Sequence, residues 1–214
     1  MQDAHLSLEI DGRRVHLYND SSLYEPDAQR LVVSDLHLGK AGYFQRNGLP
    51  LSLSAELLTM TKLSWSLART PVRELLLLGD LFHVADAAAM DSWASFLQKQ
   101  TGLRCILVKG NHERLPASVY MGLGMEVVTT FKVAGWEYVH DRSDGSGAFC
   151  ISGHEHPGIR LRGPGRQYLR LPCFRYTDKG LILPSFGRLT GLYCRPKALN
   201  ERIFVVWPEG IKAL

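Results

Sequence analysis

A layered α/β fold with a second sheet is what this chain predicts, on three observations. Apolar runs of strand length alternate with helix-patterned segments through the first half. Those runs are apolar throughout rather than alternating, which marks parallel strands covered on both faces. Beyond about Gly124 only short apolar segments remain, with no long helical pattern, so the second half reads as an antiparallel or mixed sheet.

The elements follow in order. Residues 6–10 (LSLEI) and 15–18 (VHLY), joined by DGRR, read as a hairpin. RLVVSDLHLG (30–39) is a strand ending in polar residues. LSLSAELLTMTKLSWSLART (51–70) repeats apolar residues at helical spacing, with a Ser/Glu start between Ser52 and Glu56. The stretch between, AGYFQRNGLPL, reads as an exposed aromatic and basic loop. ELLLLGD (74–80) is a second buried strand, residues 85–102 a second helix, and LRCILVKGN (103–111) a third strand. MEVVTTFKVAGWEYVH, GAFCISG, QYLRLPCFRY, GLILPSFG and RIFVVWP supply the short strands that remain. No repeat, low-complexity tract or linker interrupts them, so residues 1–214 read as a single domain.

Composition narrows the class. At 45% hydrophobic and 21% charged the chain resembles an ordinary globular protein. No apolar run approaches the roughly 18–20 residues that span a bilayer, and the acidic start MQDAHLSLEIDG lacks the apolar core of a signal peptide. Cys105, Cys150, Cys173 and Cys194 are scattered, which suits reduced thiols and a cytoplasmic setting. Charge is uneven. Residues 1–153 hold 14 basic and 17 acidic side chains, net −3, whereas 154–214 hold 11 and 4, net +7. Arg160, Arg162, Arg166, Arg170 and Arg175 crowd into twenty residues. They read equally as a solvated hairpin and as a phosphate-binding rim. Tyr168, Phe174 and Tyr176 interleave with them, and fit one face of a strand better than a base-stacking platform.

The chemistry lies where strands stop. LVVS is followed by Asp35 and His37, LLLLG by Asp80, ILVKG by Asn111 and His112, WEYV by His140, and FCISG by His154 and His156. Sites in open α/β sheets form outside the carboxyl ends of strands. Singly each residue is ordinary; a lone Asp there is usually a turn or cap. Together they form a constellation. In extended backbone, residues two apart face the same side, so His154 and His156 are expected to aim at one spot beyond Gly153. Carboxylate, imidazole and amide oxygen suit Mn²⁺, Zn²⁺ or Fe²⁺, and a set free of cysteine is unlike a structural zinc knot. Neither a Gly-x-Ser-x-Gly elbow nor a phosphate-cradling Gly-rich loop is present.

SDLHLG (34–39), GDLFH (79–83), GNHE (110–113), an isolated histidine and GHEH (153–156) resemble, in order, the five motifs of the calcineurin-like metallophosphoesterases. The resemblance spans residues 31–156 and covers the last third only loosely. It implies an α/β/β/α sandwich of mixed sheets with two divalent metals, Mn²⁺ foremost, at the strand carboxyl ends. Asp35, His37 and His156 would hold one metal, Asn111, His140 and His154 the other, with Asp80 bridging. His140 stands in VHDR where the family usually has His-Gly or Gly-His. His112 matches the family histidine that is no ligand, and would protonate the leaving oxygen or stabilise charge on the phosphorus. His83 replaces an acidic residue common at that place, and reads as a support for the ligands, a substrate contact or packing. Asp141 reads as a turn carboxylate, with a ligand-orienting role as the lesser option; His5 and His16 fall outside the set.

SDLHLGK with its aromatic and basic sequel, and LPCFR later, are similar to a branch that includes the ligase-associated DNA-damage-response phosphoesterase/endonuclease. That implies hydrolysis of phosphodiesters by a metal-bridged hydroxide, single-stranded DNA as substrate, and association with a DNA ligase, a helicase and an exonuclease-like protein, with no membrane. A phosphodiesterase for cyclic nucleotides or other small diesters remains an alternative. UDP-diacylglucosamine hydrolases share the SDLHL opening but carry Arg in place of His112. A non-catalytic nucleic-acid-binding or scaffold protein is the reading of another class, and such proteins typically lose the histidines that are all present here.

Overall fold

The structure is a computed structural model that describes residues 3–49, 51–52 and 54–214, without the Arg166 side chain. Among these residues the chain folds as two mixed sheets packed face to face. The first runs in sequence order: β1 (His5–Ile10), β2 (Arg13–Tyr18), β3 (Leu23–Glu25), β4 (Arg30–Val33), β5 (Glu74–Leu78), β6 (Arg104–Val108) and β7 (Glu126–Val128). Neighbours from β1 to β4 are antiparallel, and those from β4 to β7 are parallel. β4 and β5 are buried along their whole length, as continuous apolar runs in a covered parallel sheet must be.

Four helices accompany the first sheet. α1 (Lys40–Arg46) follows β4, α2 (Ser54–Arg69) leads into β5, α3 (Ala87–Gln98) joins β5 to β6, and α4 (Ala117–Gly122) precedes β7. α2 buries Thr59, Leu63 and Ser66, a stripe at helical spacing. α3 is capped by Asp86, which accepts from the Ala89 amide, and buries Ala89 and Trp93. Leu63, Trp93 and Tyr120 pack with Leu31, Val33, Leu75, Leu77 and Leu107 on the outer face of the sheet.

The second sheet holds β8 (Phe131–Val133), β9 (Trp136–Val139), β10 (Phe149–Ser152), β11 (Pro157–Arg162), β12 (Tyr168–Thr177), β13 (Gly180–Ile182), β14 (Tyr193–Cys194), β15 (Arg202–Trp207) and β16 (Gly210–Ala213). β10 lies parallel to β9 and β13, and β12 is antiparallel to β11, β13 and β15. Val32, Leu76, Leu78, Ile106 and Val108 meet Tyr138, Ile151, Phe174, Leu181 and Phe204 between the two sheets. The outer face of the second sheet has only a small cluster, Cys173, Ile203 and Val205, under Ile159 and Leu171.

Three local expectations change. The stretch after Gly39 is helical rather than a loop. Its first turn is held by Glu56, which accepts from the Ala41 amide at 2.7 Å, and its end by Arg46 on Asp86 at 2.8 Å. Gly42 inside it hid the pattern, since glycine disfavours helix by about 1 kcal/mol. α4 is too short to show a period. The arginines divide: Arg160, Arg162 and Arg170 are exposed on the β11–β12 hairpin, whereas Arg175 is buried. Arg160 lies 4.0 Å over the exposed Tyr168 ring, while Phe174 is in the core. Arg175 donates to Glu201 at 2.7 Å and to the carbonyls of Gly158 and Arg195 at 3.1 and 2.6 Å. It is a clasp between β12 and the 195–201 loop and has no access to a substrate phosphate.

Removing the carboxylate from such a pair leaves a charged guanidinium buried without its counter-ion. Glu201→Ala should therefore cost about 3–5 kcal/mol of unfolding free energy. Urea unfolding measures it; a cost under about 1 kcal/mol would mean the carbonyls alone satisfy Arg175.

Candidate metal centre

The constellation read from the strand ends comes together in space. Asp35 and His37 follow β4, Asp80 follows β5, and Asn111 and His112 follow β6. His140 follows β9, and His154 and His156 lie between β10 and β11. The two sheets are joined at this edge: Ser34 and Asp35 carbonyls accept from the Phe186 and Gly187 amides at 2.8 and 3.1 Å.

Two groups of acceptor atoms lie on either side of Asp80. In the first, His37 Nε2 is 3.4 Å from His156 Nε2, which is 3.3 Å from Asp35 Oδ1. Asp80 Oδ2 faces this group, 3.7 Å from His37 Nε2. In the second, His140 Nε2 is 2.9 Å from His154 Nδ1, 3.0 Å from Asn111 Oδ1 and 3.4 Å from Asp80 Oδ1. His140 Nδ1 donates to the Leu78 carbonyl at 2.9 Å, which leaves Nε2 as a bare acceptor. Ligands at about 2.1 Å from one cation stand roughly 3.0–3.4 Å apart. Nitrogen and oxygen lone pairs at that spacing repel unless a proton or a cation lies between them, and one cation can serve several at once. The donor set therefore fits divalent cations: Asp35, His37 and His156 form one candidate group, and Asp80, His140 and His154 another. Asn111 serves either state, since its amide turned round would donate to His140 Nε2 and Asp80.

Backbone geometry makes the convergence possible. Asp35, His37, Asp80, His154 and His156 all have positive φ, between 46° and 65°. The turn between His154 and His156 is thus left-handed rather than extended, which corrects the expected reason for their shared direction. Each such non-glycine residue costs about 1–2 kcal/mol. Gly153 is required beneath them, because a Cβ there would sit 2.7 Å from Asp35 Oδ2.

Electrostatics favour readiness. Burial pushes the His37 pKa down to about 3, so its ring is neutral and its lone pair free. Burial opposes the charge on Asp35, but its histidine neighbours, His156 first and then His140 and His37, outweigh it and hold that carboxyl below its ordinary range. Asp35 also accepts from the His154 amide at 3.1 Å.

His112 stands at the rim. Its Nδ1 donates to the His83 carbonyl at 2.7 Å and its Nε2 faces Asp80 Oδ2 at 3.9 Å. His83 itself stacks on His112 with ring centres 5.0 Å apart and meets His37 edge-on at 5.7 Å. It joins His37 and His112 in a third cluster of nitrogen atoms. Asp141 caps a short turn by accepting from the Ser143 amide, and also lies 3.6 Å from His154 Nε2. His5 and His16 pair with each other on the hairpin.

Two residues escaped the sequence reading. Glu113, buried, accepts from the amides of Gly110, Asp80 and Leu81 at 2.8–2.9 Å, tying the ends of β5 and β6 together. Its only signal was its place in GNHE. Lys40, half-buried at the start of α1, has its pKa lowered by burial, a shift that the Asp80 charge opposes. It could have been suspected as a cation directly after a strand-end motif.

With this geometry established, the comparisons are informative. The chain has the fold of a Pseudomonas putida nuclease. That crystal structure, of nuclease MPE, matches with a TM-score of 0.81 and 27% identity over 94% of this chain and 96% of that one. A protein of unknown function from Aquifex aeolicus matches at a TM-score of 0.41 and 17% identity, over 64% and 82%. No family model matches the sequence, and no curated protein does. No described helix is long and apolar enough to cross a membrane.

Groups that orient metal ligands typically contribute 10–100-fold in metal affinity. Glu113→Ala, which frees three amides under Asp80, should weaken Mn²⁺ binding by about that factor in calorimetric titration. Unchanged affinity would separate Glu113 from the centre.

Proposed function

We propose that this chain is a binuclear-metal phosphodiesterase that cleaves nucleic acid, with single-stranded DNA as substrate and Mn²⁺ as the preferred metal. The observation that carries it is the placement of Asp80, whose two oxygens face two separate groups of bare acceptors. The calcineurin-like motifs and the likeness to the Pseudomonas putida nuclease support it. Asp35, His37 and His156 would hold one cation, Asn111, His140 and His154 the other, and Asp80 both. When bound, such a pair supplies Lewis acidity at the phosphoryl group and lowers the pKa of water.

The chain's own residues supply the rest. His112 is aimed by the His83 carbonyl, which occupies Nδ1 and leaves Nε2 to exchange a proton with the leaving oxygen. Lys40, at the start of α1, adds positive charge that acts on Asp80. The exposed Arg160 and Arg162 lie on the strand that begins just after His156 and Arg170 on its hairpin partner, and together they offer a path for a polyanionic backbone. The seven proposed ligands and His112 are all retained, which favours an enzyme over a scaffold. The functional association with a ligase, a helicase and an exonuclease-like protein belongs to the same proposal.

Asp80→Asn should abolish nearly all turnover of single-stranded DNA and of bis-p-nitrophenyl phosphate in Mn²⁺. A variant with wild-type rate and two bound metals would contradict the bridging role. His112→Ala should slow diesters with poor leaving groups, by about 10²–10⁴-fold, more than those with good ones. Equal losses across a leaving-group series would remove its acid role.

A further inference from the structure

Beside the metal centre lies a cavity that the proposed chemistry leaves unused. It holds about 320 Å³, at the lower end of the roughly 300–1,000 Å³ typical of small-molecule sites. His83, His112, Tyr43, Phe82, Tyr120 and Arg114 are among the residues that line it. His112 thus borders both the cavity and Asp80.

The lining has a distinct character. Phe82 and Tyr120 are buried and stack on each other at 6.5 Å with planes 22° apart, so that wall is fixed by the core. Tyr43, 37% exposed, is carried on α1 and stands edge-on to His83 at 5.4 Å. This accounts for the aromatic stretch after Lys40, which none of the metal chemistry requires. Aromatic walls suit a flat ring with an apolar face and offer little to a phosphate. Arg114 adds donors suited to the polar edge of such a ring.

We propose that this cavity receives the base of a nucleotide adjoining the scissile phosphate, and that Tyr43 is the residue it packs against. The inference rests on the nucleic-acid reading above. An unstacked base enters such a pocket at little cost, whereas one in a duplex must first leave its stack, at a few kcal/mol. The cavity therefore adds binding energy that a bare phosphodiester cannot draw on. Every base has a π-face, so the contact tolerates all four bases.

The test is a ratio measured on the full chain in Mn²⁺. The specificity constant kcat/KM is compared for a short oligothymidylate and for an oligomer of equal length whose bases are replaced by hydrogen. Wild type should prefer the first by about tenfold or more, the worth of one base–aromatic stack. Tyr43→Ala should bring the ratio to within about twofold, and Tyr43→Phe should restore it. Because both substrates meet the same enzyme, partial loss of folded protein cancels. A wild-type ratio near one, or a Tyr43→Ala variant that keeps the wild-type ratio, overturns the base pocket and leaves the nuclease reading standing. If wild type hydrolyses bis-p-nitrophenyl phosphate but neither oligomer, the nucleic-acid reading fails and the pocket with it.

Discussion

The crowding of imidazoles and carboxylates from two sheets at one edge is the constraint around which this structure is organised. Ring nitrogens 2.9 and 3.4 Å apart, with carboxylate and amide oxygens among them, stand at the spacing that ligands around one cation adopt. A protein that merely needed polar residues at its strand ends would point them outwards. Here they point at one another, and the chain is shaped to keep them so.

Keeping them so costs backbone strain. Five of the converging residues occupy the left-handed region, at about 1–2 kcal/mol each, and Asp35 is wholly buried. Opposing this are two apolar cores that share the central strands. β4 and β5 are enclosed on one face by α2 and α3 and on the other by the second sheet. Glu113 adds local support, since three amides donated to one carboxylate fix the ends of two strands. The strain is tolerable because it sits at the ends of strands that are buried along their length.

Much of this was legible in the residues. Continuous apolar runs announced β4, β5 and β6, since burial on both faces leaves no room for alternation. The polar residues at the ends of those runs were therefore candidates for one edge, and the structure brings Asp35, His37, Asp80, Asn111, His112, His140, His154 and His156 to it. The left-handed turn at His154 and His156 was not legible, because histidine carries no local signature for it as glycine does. α1 was missed for a related reason: seven residues containing a glycine form a helix only when Glu56 and Asp86 hold its ends from elsewhere. Arg175 looked like its exposed neighbours, and only the register of β12 turns it inwards.

The hydrogen bonds from Phe186 and Gly187 to Ser34 and Asp35 couple the two sheets at the site. They tie a loop that follows β13 to the residues that follow β4, about 150 positions earlier in sequence. Asp35, Asp80 and Asn111 come from one sheet, and His140, His154 and His156 from the other. A half-made or half-melted chain thus owns only half a centre. Loss of either sheet would silence the whole site at once, so that whatever this edge does to its substrate is confined to molecules that have finished folding.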